Sequence, residues 1–339
     1  MPKGNANHIL GKDKFLPSSS GYNNLHFLVS SIPPMVIGGG YPTITGWEYW
    51  GVLDTGRERY GASVVDYNSR IWMLGGRNTS NNYTALAESM DIATQITTTH
   101  TASSGKTFAG HCYVEKAGGH YMYQFGGIPA GGGVASTEVR SWDLDNPNVA
   151  MVAHAAVPIA GVQRSVDVWD GTQYIYHFGG YSSSYNNKFY RYDVINNTWN
   201  TTLTTVPIAT ADCAGMYYDG KVYIAGGQTT GGVNLTDLQI YDVATNTWAV
   251  GASMPYAKRF GAYIQANGDL IFTMGYDAAV LSNTTLHYYR ASNQWAVEGI
   301  TQQALWGVYG AYDSGSNRIY TRGGKTATLW SSTGQRNTI

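Results

Sequence analysis

The sequence predicts an all-β fold in which one four-stranded unit repeats six times around a ring that an N-terminal strand closes. Three observations predict it. An apolar run ending in glycine returns six times along the 339 residues. A large side chain followed by Asp returns after most of those runs, and segment 44–53 has the character of a last strand with no unit before it.

The runs are IWMLGG (71–76), YMYQFGG (121–127), YIYHFGG (174–180), VYIAGG (222–227), LIFTMGY (270–276) and IYTRGG (319–324). Their first glycines, Gly75, Gly126, Gly179, Gly226, Gly275 and Gly323, are spaced by 51, 53, 47, 49 and 48 residues. After them come Met90-Asp91, Trp142-Asp143, Tyr192-Asp193 and Tyr241-Asp242. In three units a Trp follows seven residues after a Tyr, as Tyr192/Trp199, Tyr241/Trp248 and Tyr288/Trp295. A period near 50 is a signature of propeller architectures. With its diglycines and Tyr/Trp pairs over roughly residues 45–331, the chain resembles the kelch-repeat family. The resemblance implies an all-β, six-bladed kelch-type β-propeller with four-stranded blades.

Each element has a physical reason. The unit between Cys213 and Val250 contains four short alternating runs, CAGMYYD, KVYIAGG, LQIYDV and NTWAV, with the period of two that belongs to sheet. Glycine at the end of the second run permits positive φ and close backbone approach. The Asp of YDVATNTW is placed to accept hydrogen bonds from the turn amides that follow it. Tyr and Trp fill the space between twisted sheets, burying about 150–250 Å² each.

The ends of the repeat predict how the ring shuts. Unit five has Gly275-Tyr276 in place of a diglycine, and Tyr288-Tyr289 without Asp. Unit six reaches Trp330-Ser331, taken as its third strand, and then has only eight residues, too few for a fourth. An open ring would leave strand edges unpaired, and ITGWEYWGVL (44–53) supplies the missing strand. Trp47 then plays the part of Trp248 and packs in the blade that holds 319–324, beside 328–331. The propeller is expected over residues 44–339. Residues 1–43, rich in Pro, Ser, Gly and Asn, form an extended N-terminal docking arm on a larger assembly.

Composition narrows the partners. Only 13% of residues are charged and the net charge is −1, without a Lys/Arg cluster, so nucleic acid is not an expected partner. No apolar run approaches the roughly 18 residues that span a bilayer. The stretch 25–39 is broken by Pro33-Pro34, so neither a signal peptide nor membrane insertion is expected. Cys112 and Cys213 fall on the first strands of blades two apart and read as buried free thiols.

Candidate sites lie in the inter-strand loops and at the central channel, where propellers present ligands. The segments after the diglycines are rich in Tyr, Asn, Ser and Thr, residues suited to adaptable contacts. Arg77, Asn81, Tyr83, Tyr181, Tyr185 and Asn234 are the candidate ligand-binding residues. Basic residues recur before first strands: Arg57, Arg59, Arg164 and Arg259 are expected at the channel mouth, with Lys106 and Lys258 in the same pattern. Such a mouth could hold an acidic ligand or carboxylate. The histidines show no metal-ligand spacing, and no nucleophile or paired-carboxylate motif is present. The expectation is therefore no catalytic residue, no metal and no cofactor.

The functional expectation is a non-enzymatic binding module. The sparse charge and the abundance of Tyr (27) and Gly (42) are similar to phage tail and capsid-decoration proteins. That resemblance implies a virion or extracellular-surface propeller, held by its arm, presenting loops to a host-surface glycan or protein. The alternative resembles the sialic-acid mutarotases, six-bladed kelch enzymes that interconvert anomers.

Overall fold

Alternating runs separated by Asp, Asn and Gly turns fold as antiparallel hairpins. The computed structural model describes residues 46–52, 63–78, 80, 82–101, 104–277, 279–327 and 333–339. Among these there are six four-stranded sheets and no helix. From its inner edge outward, the first sheet holds Ser63–Tyr67, Arg70–Leu74, Ala87–Asp91 and Thr97–His100. The innermost strands of the next five are Gly110–Lys116, Val166–Trp169, Ala214–Tyr218, Ala262–Ala266 and Tyr309–Asp313. Each lies against its two neighbours, and Tyr309–Asp313 lies against Ser63–Tyr67, so the sheets run round a circle. They are the blades of a propeller, and the core is the set of apolar layers between them. Between blades four and five, for example, Met216, Tyr223, Phe272, Leu286 and Tyr288 are packed and buried.

The repeat signals map onto bonds within and between blades. Asp242 Oδ1 accepts from the amides of Ala244 and Thr245 at 3.0 and 3.1 Å. Asp193 does the same for Ile195 and Asn196, and Asp91 for Ala93 and Thr94. Tyr241 sits opposite Trp248 across the outer hairpin, as Tyr192 does Trp199 and Tyr288 does Trp295. Each Trp then reaches the preceding blade. Trp248 Nε1 donates to Thr204 O at 3.0 Å, while Asn246 Oδ1 accepts from Thr204 N at 3.0 Å and from the Tyr241 hydroxyl at 2.7 Å. Asn197 with Trp199 grips Ala155 in this way, and Asn293 with Trp295 grips Ala252. One residue of each preceding blade thus has both backbone groups held by an Asn-x-Trp hairpin, and the three asparagines have φ of 51–55°.

The diglycine is the second inter-blade joint. Its second amide donates to the next blade: Gly127 to Val162 O, Gly180 to Thr210 O and Gly227 to Lys258 O, at 2.7–2.9 Å. A Cβ on Gly226 would stand 2.5 Å from Lys258 O, so only glycine fits where the chains approach this closely. Blade five corrects the sequence reading by one residue. Gly275 N donates to Leu305 O, so Gly275 is the second glycine of the pair and Met274, at φ 60°, occupies the place of the first.

The ring closes with an N-terminal strand, in a register different from the expected one. Glu48–Val52 pairs antiparallel with Thr333–Thr338, which pairs with Arg318–Arg322. The third strand of blade six is therefore Thr333–Thr338, and the expected partners, 328–331, lie outside the described residues. That strand, TGQRNT, carries no aromatic-Asp marker, and Trp330 lies outside the described residues. Trp47 packs on Ile319 of blade six as expected, and also on Ile264 and Ile271 of blade five. Trp50 turns the other way, against Ile71, Met73 and Met90 of blade one, with its ring 4.6 Å from Tyr320. The expected docking arm, 1–43, lies outside the described residues.

Candidate functional site at the channel mouth

One backbone position repeats just ahead of each described innermost strand from blade two onward. Phe108, Arg164, Asp212, Phe260 and Gly307 all lie in the left-handed region, with φ of 58–65°. They are linked in order: Arg164 N donates to Phe108 O, Asp212 N to Arg164 O, Phe260 N to Asp212 O and Gly307 N to Phe260 O, at 2.6–3.4 Å. An arc of amides and carbonyls, the hoop, therefore runs from blade two to blade six along the channel wall. Left-handed backbone is costly for a bulky residue such as Phe, and it aims these side chains at the channel mouth.

The side chains of the hoop plug the channel and floor a cup. Phe108 and Phe260, three blades apart, meet edge to face at 5.5 Å, and Trp306 packs on Phe260 at 5.2 Å. Above them a cavity of about 380 Å³ is walled by Arg77, Arg164, Arg259, Gln163 and Tyr276. Beneath the plug, between Asp212, Tyr263 and Tyr309, only about 30 Å³ remains, room for a water molecule.

Each guanidinium is set by an aromatic ring. Arg77 stacks on Tyr83 at 4.1 Å and donates to its hydroxyl. Arg164 lies 4.9 Å from the Tyr181 ring and 5.6 Å from that of Tyr185. Arg259 lies 4.7 Å from the Tyr276 ring. Arg164 Nη1 is paired with Asp212 Oδ2 at 2.9 Å. Burial pushes the Asp212 carboxyl up to about 6, although Arg164 and Arg259 both hold it down. The Arg259 side chain makes no hydrogen bond or ion pair among the described residues, and its Nε is buried without an acceptor. Among the described residues, three guanidiniums line the cup, and the carboxylate of Asp212 beneath them pairs with Arg164.

The structure gathers most of the described candidates in this one place. Arg77, Arg164 and Arg259 line the cup, with Tyr83, Tyr181 and Tyr185 as their ring partners. Asn234 stands further out in a polar chain: the Tyr185 hydroxyl donates to Gln228 Oε1, and Gln228 Nε2 donates to Asn234 Oδ1 at 3.1 Å. Arg57, Arg59 and Asn81 lie outside the described residues. Two basic residues of the pattern turn away from the mouth. Lys106 is buried and pairs with Glu138 at 2.9 Å. Lys258 is buried and donates to Met274 O and Ser282 Oγ, and burial pulls its pKa down to about 7. Phe108, Phe260, Trp306, Tyr276 and Asp212 were not singled out from sequence. Phe108, Asp212 and Phe260 share a place two residues ahead of the first strand of their units, whereas Trp306 stands three ahead of its strand and Tyr276 follows the second strand of blade five. Cys112 lies on the innermost strand of blade two and Cys213 directly precedes that of blade four; both are free and buried.

Residues 110–324 match the family described as the KLHDC2/KLHL20/DRC7 Kelch-repeats domain. A search of curated proteins gave no match to the chain.

Proposed function

Because the chain belongs to the kelch-repeat domain family, we propose that it is a non-enzymatic, protein-binding β-propeller that takes a carboxylate-bearing segment of its partner into the cup. Arg259 is the observation that carries this reading. It is a half-buried guanidinium, oriented by Tyr276, with no ion-pair partner among the described residues. A ligand carboxylate placed between Arg259, Arg77 and Arg164 would receive charge-assisted hydrogen bonds, each worth about 1.5–3 kcal/mol. Phe260 and Trp306 would cover the apolar part of the same segment. The test is fluorescence anisotropy with a labelled Glu-rich hexapeptide at moderate salt. Arg259→Ala should weaken binding by tenfold or more, while Lys188→Ala, outside the cup, should leave it unchanged. Equal binding by wild type and Arg259→Ala would sink the reading.

For its setting, we infer attachment through residues 1–43 to a larger assembly on a virion or extracellular surface, where the loops meet a host-surface protein or glycan. The low charged fraction, 13%, and the Tyr- and Gly-rich composition support it. Removing residues 1–40 should leave a folded propeller that no longer joins its assembly; normal assembly by the truncated chain would refute the inference.

A further inference from the structure

The other half of the channel has the opposite character. Beyond the plug, away from the cup, all six innermost strands contribute to a cavity of about 450 Å³. Among the described residues no Lys or Arg lines it, and the charged groups are the carboxylates of Asp66 and Asp167, with His111 nearby. Its walls include the rings of Tyr113, Trp169 and Tyr312.

The two carboxylates are not equivalent. Asp167 is engaged on both oxygens, by the imidazole of His177 at 2.7 Å and the hydroxyl of Ser165 at 3.2 Å. Asp66 Oδ1 is buried and accepts no hydrogen bond. Its neighbour Asp313 cannot help: its oxygens are taken by Gly315 N and Ser316 Oγ of its own turn, at 2.9 and 2.5 Å, and its charge repels that of Asp66. A buried acceptor without a donor costs about 1–3 kcal/mol, more when charged. Such a group lining a cavity among aromatic rings has the chemistry of a cation site, where a carboxylate supplies the counter-charge and ring faces hold the flanks.

We propose that this cavity binds a primary alkylammonium group, with Asp66 as its counter-ion. A metal ion is the poorer fit, because among the described residues no three His, Cys, Asp or Glu side chains converge to ligate one. A primary ammonium needs only a few acceptors and can leave its alkyl chain along Tyr113 and Tyr312. Burial first, and then Asp313, push the Asp66 carboxyl up to about 7, so the binding measurement belongs at pH 8, where it is ionised.

The probes are n-butylammonium chloride, its uncharged counterpart 1-butanol, and the blocked peptide acetyl-Gly-Lys-Gly-amide, titrated by NMR into the full chain. Saturable shifts with n-butylammonium, at least tenfold weaker with 1-butanol and lost in Asp66→Asn, are expected. If the lysine peptide binds as well, the ammonium comes from a protein side chain; if only the free amine binds, the site takes a small molecule. Equal binding of n-butylammonium and 1-butanol, or unaltered binding by Asp66→Asn, overturns the proposal. Retained Glu-rich peptide binding by Asp66→Asn shows that the variant is folded, and separates this site from the cup. Conversely, Arg259→Ala should bind n-butylammonium as the wild type does.

Discussion

The indole of Trp47 donates to the hydroxyl of Thr285, 3.2 Å away and 238 residues further along the chain. Thr285 in turn shares a hydrogen bond with Thr273 at 2.8 Å, so the closing strand is fastened to the interior of blade five as well as paired with blade six. Trp47→Ala should cost about 3–5 kcal/mol, the usual range for truncating a buried Trp. Trp47→Phe keeps most of the packing and loses the hydrogen bond, so about 1–2 kcal/mol is expected. Urea unfolding of the two variants measures both values.

The Asn-x-Trp grip makes its own prediction. Asn246 combines a left-handed backbone with two accepted hydrogen bonds. Asn246→Gly loses only the bonds, whereas Asn246→Ala adds backbone strain of about 1 kcal/mol. The Ala variant should therefore unfold at lower denaturant than the Gly variant, the reverse of the order on an ordinary surface.

Met274 pits the same strain against burial. It is fully buried against Ala262, Leu305 and Val308. Removing its side chain costs about 2–5 kcal/mol, which exceeds the roughly 1 kcal/mol that glycine recovers at positive φ. Met274→Gly should thus be destabilising, yet less so than Met274→Ala. Thermal melts of the pair decide it.

The cup should respond to pH through Asp212. Its carboxyl is raised to about 6 in the fold, chiefly by burial, so the folded protein keeps this proton to a higher pH than the unfolded chain does. Stability from this group is complete below about pH 4 and is lost as pH rises through 6. Protonation also removes the negative charge paired with Arg164. Affinity for a sulfonated peptide, whose charge does not titrate, should rise as pH falls from 7 to 5. Anisotropy titrations on Asp212→Asn should show a flat profile.

At the far cavity the sign is the same. Asp66 is raised to about 7, so its contribution to stability falls as pH rises from about 4 to 7. Asp66→Asn should melt at the wild-type temperature near pH 4 and at a higher one at pH 8. Differential scanning calorimetry across that range checks it.

Much of the ring was legible because its joints depend on residue types with narrow roles. Glycine at a close approach, Asp at a turn and Trp at a sheet-to-sheet contact leave marks in sequence. Where a joint is made by an unexpected residue, the reading slipped: Met274 in a glycine's place moved the fifth repeat by one. The third strand of blade six carries no aromatic-Asp pair and was placed too early. The Asn of Asn-x-Trp was in view, but its grip on the preceding blade depends on a contact between units that periodicity does not express. At the cup, Arg164 and Arg259 could be found from charge and position. Phe108 and Phe260 could not, since a large aromatic gives no sign that its backbone is left-handed.

The seam of the ring also has a direction under load. Glu48 stands opposite Arg336 and Val52 opposite Thr333, so residue 46 and Ile339 leave the paired strands at the same end. Force applied between those two points meets the inter-strand bonds one at a time, as in opening a zip. Because Trp47 adjoins residue 46, such a pull must first draw the indole from between Ile264, Ile271 and Ile319 and break its bond to Thr285 before the first inter-strand bond opens.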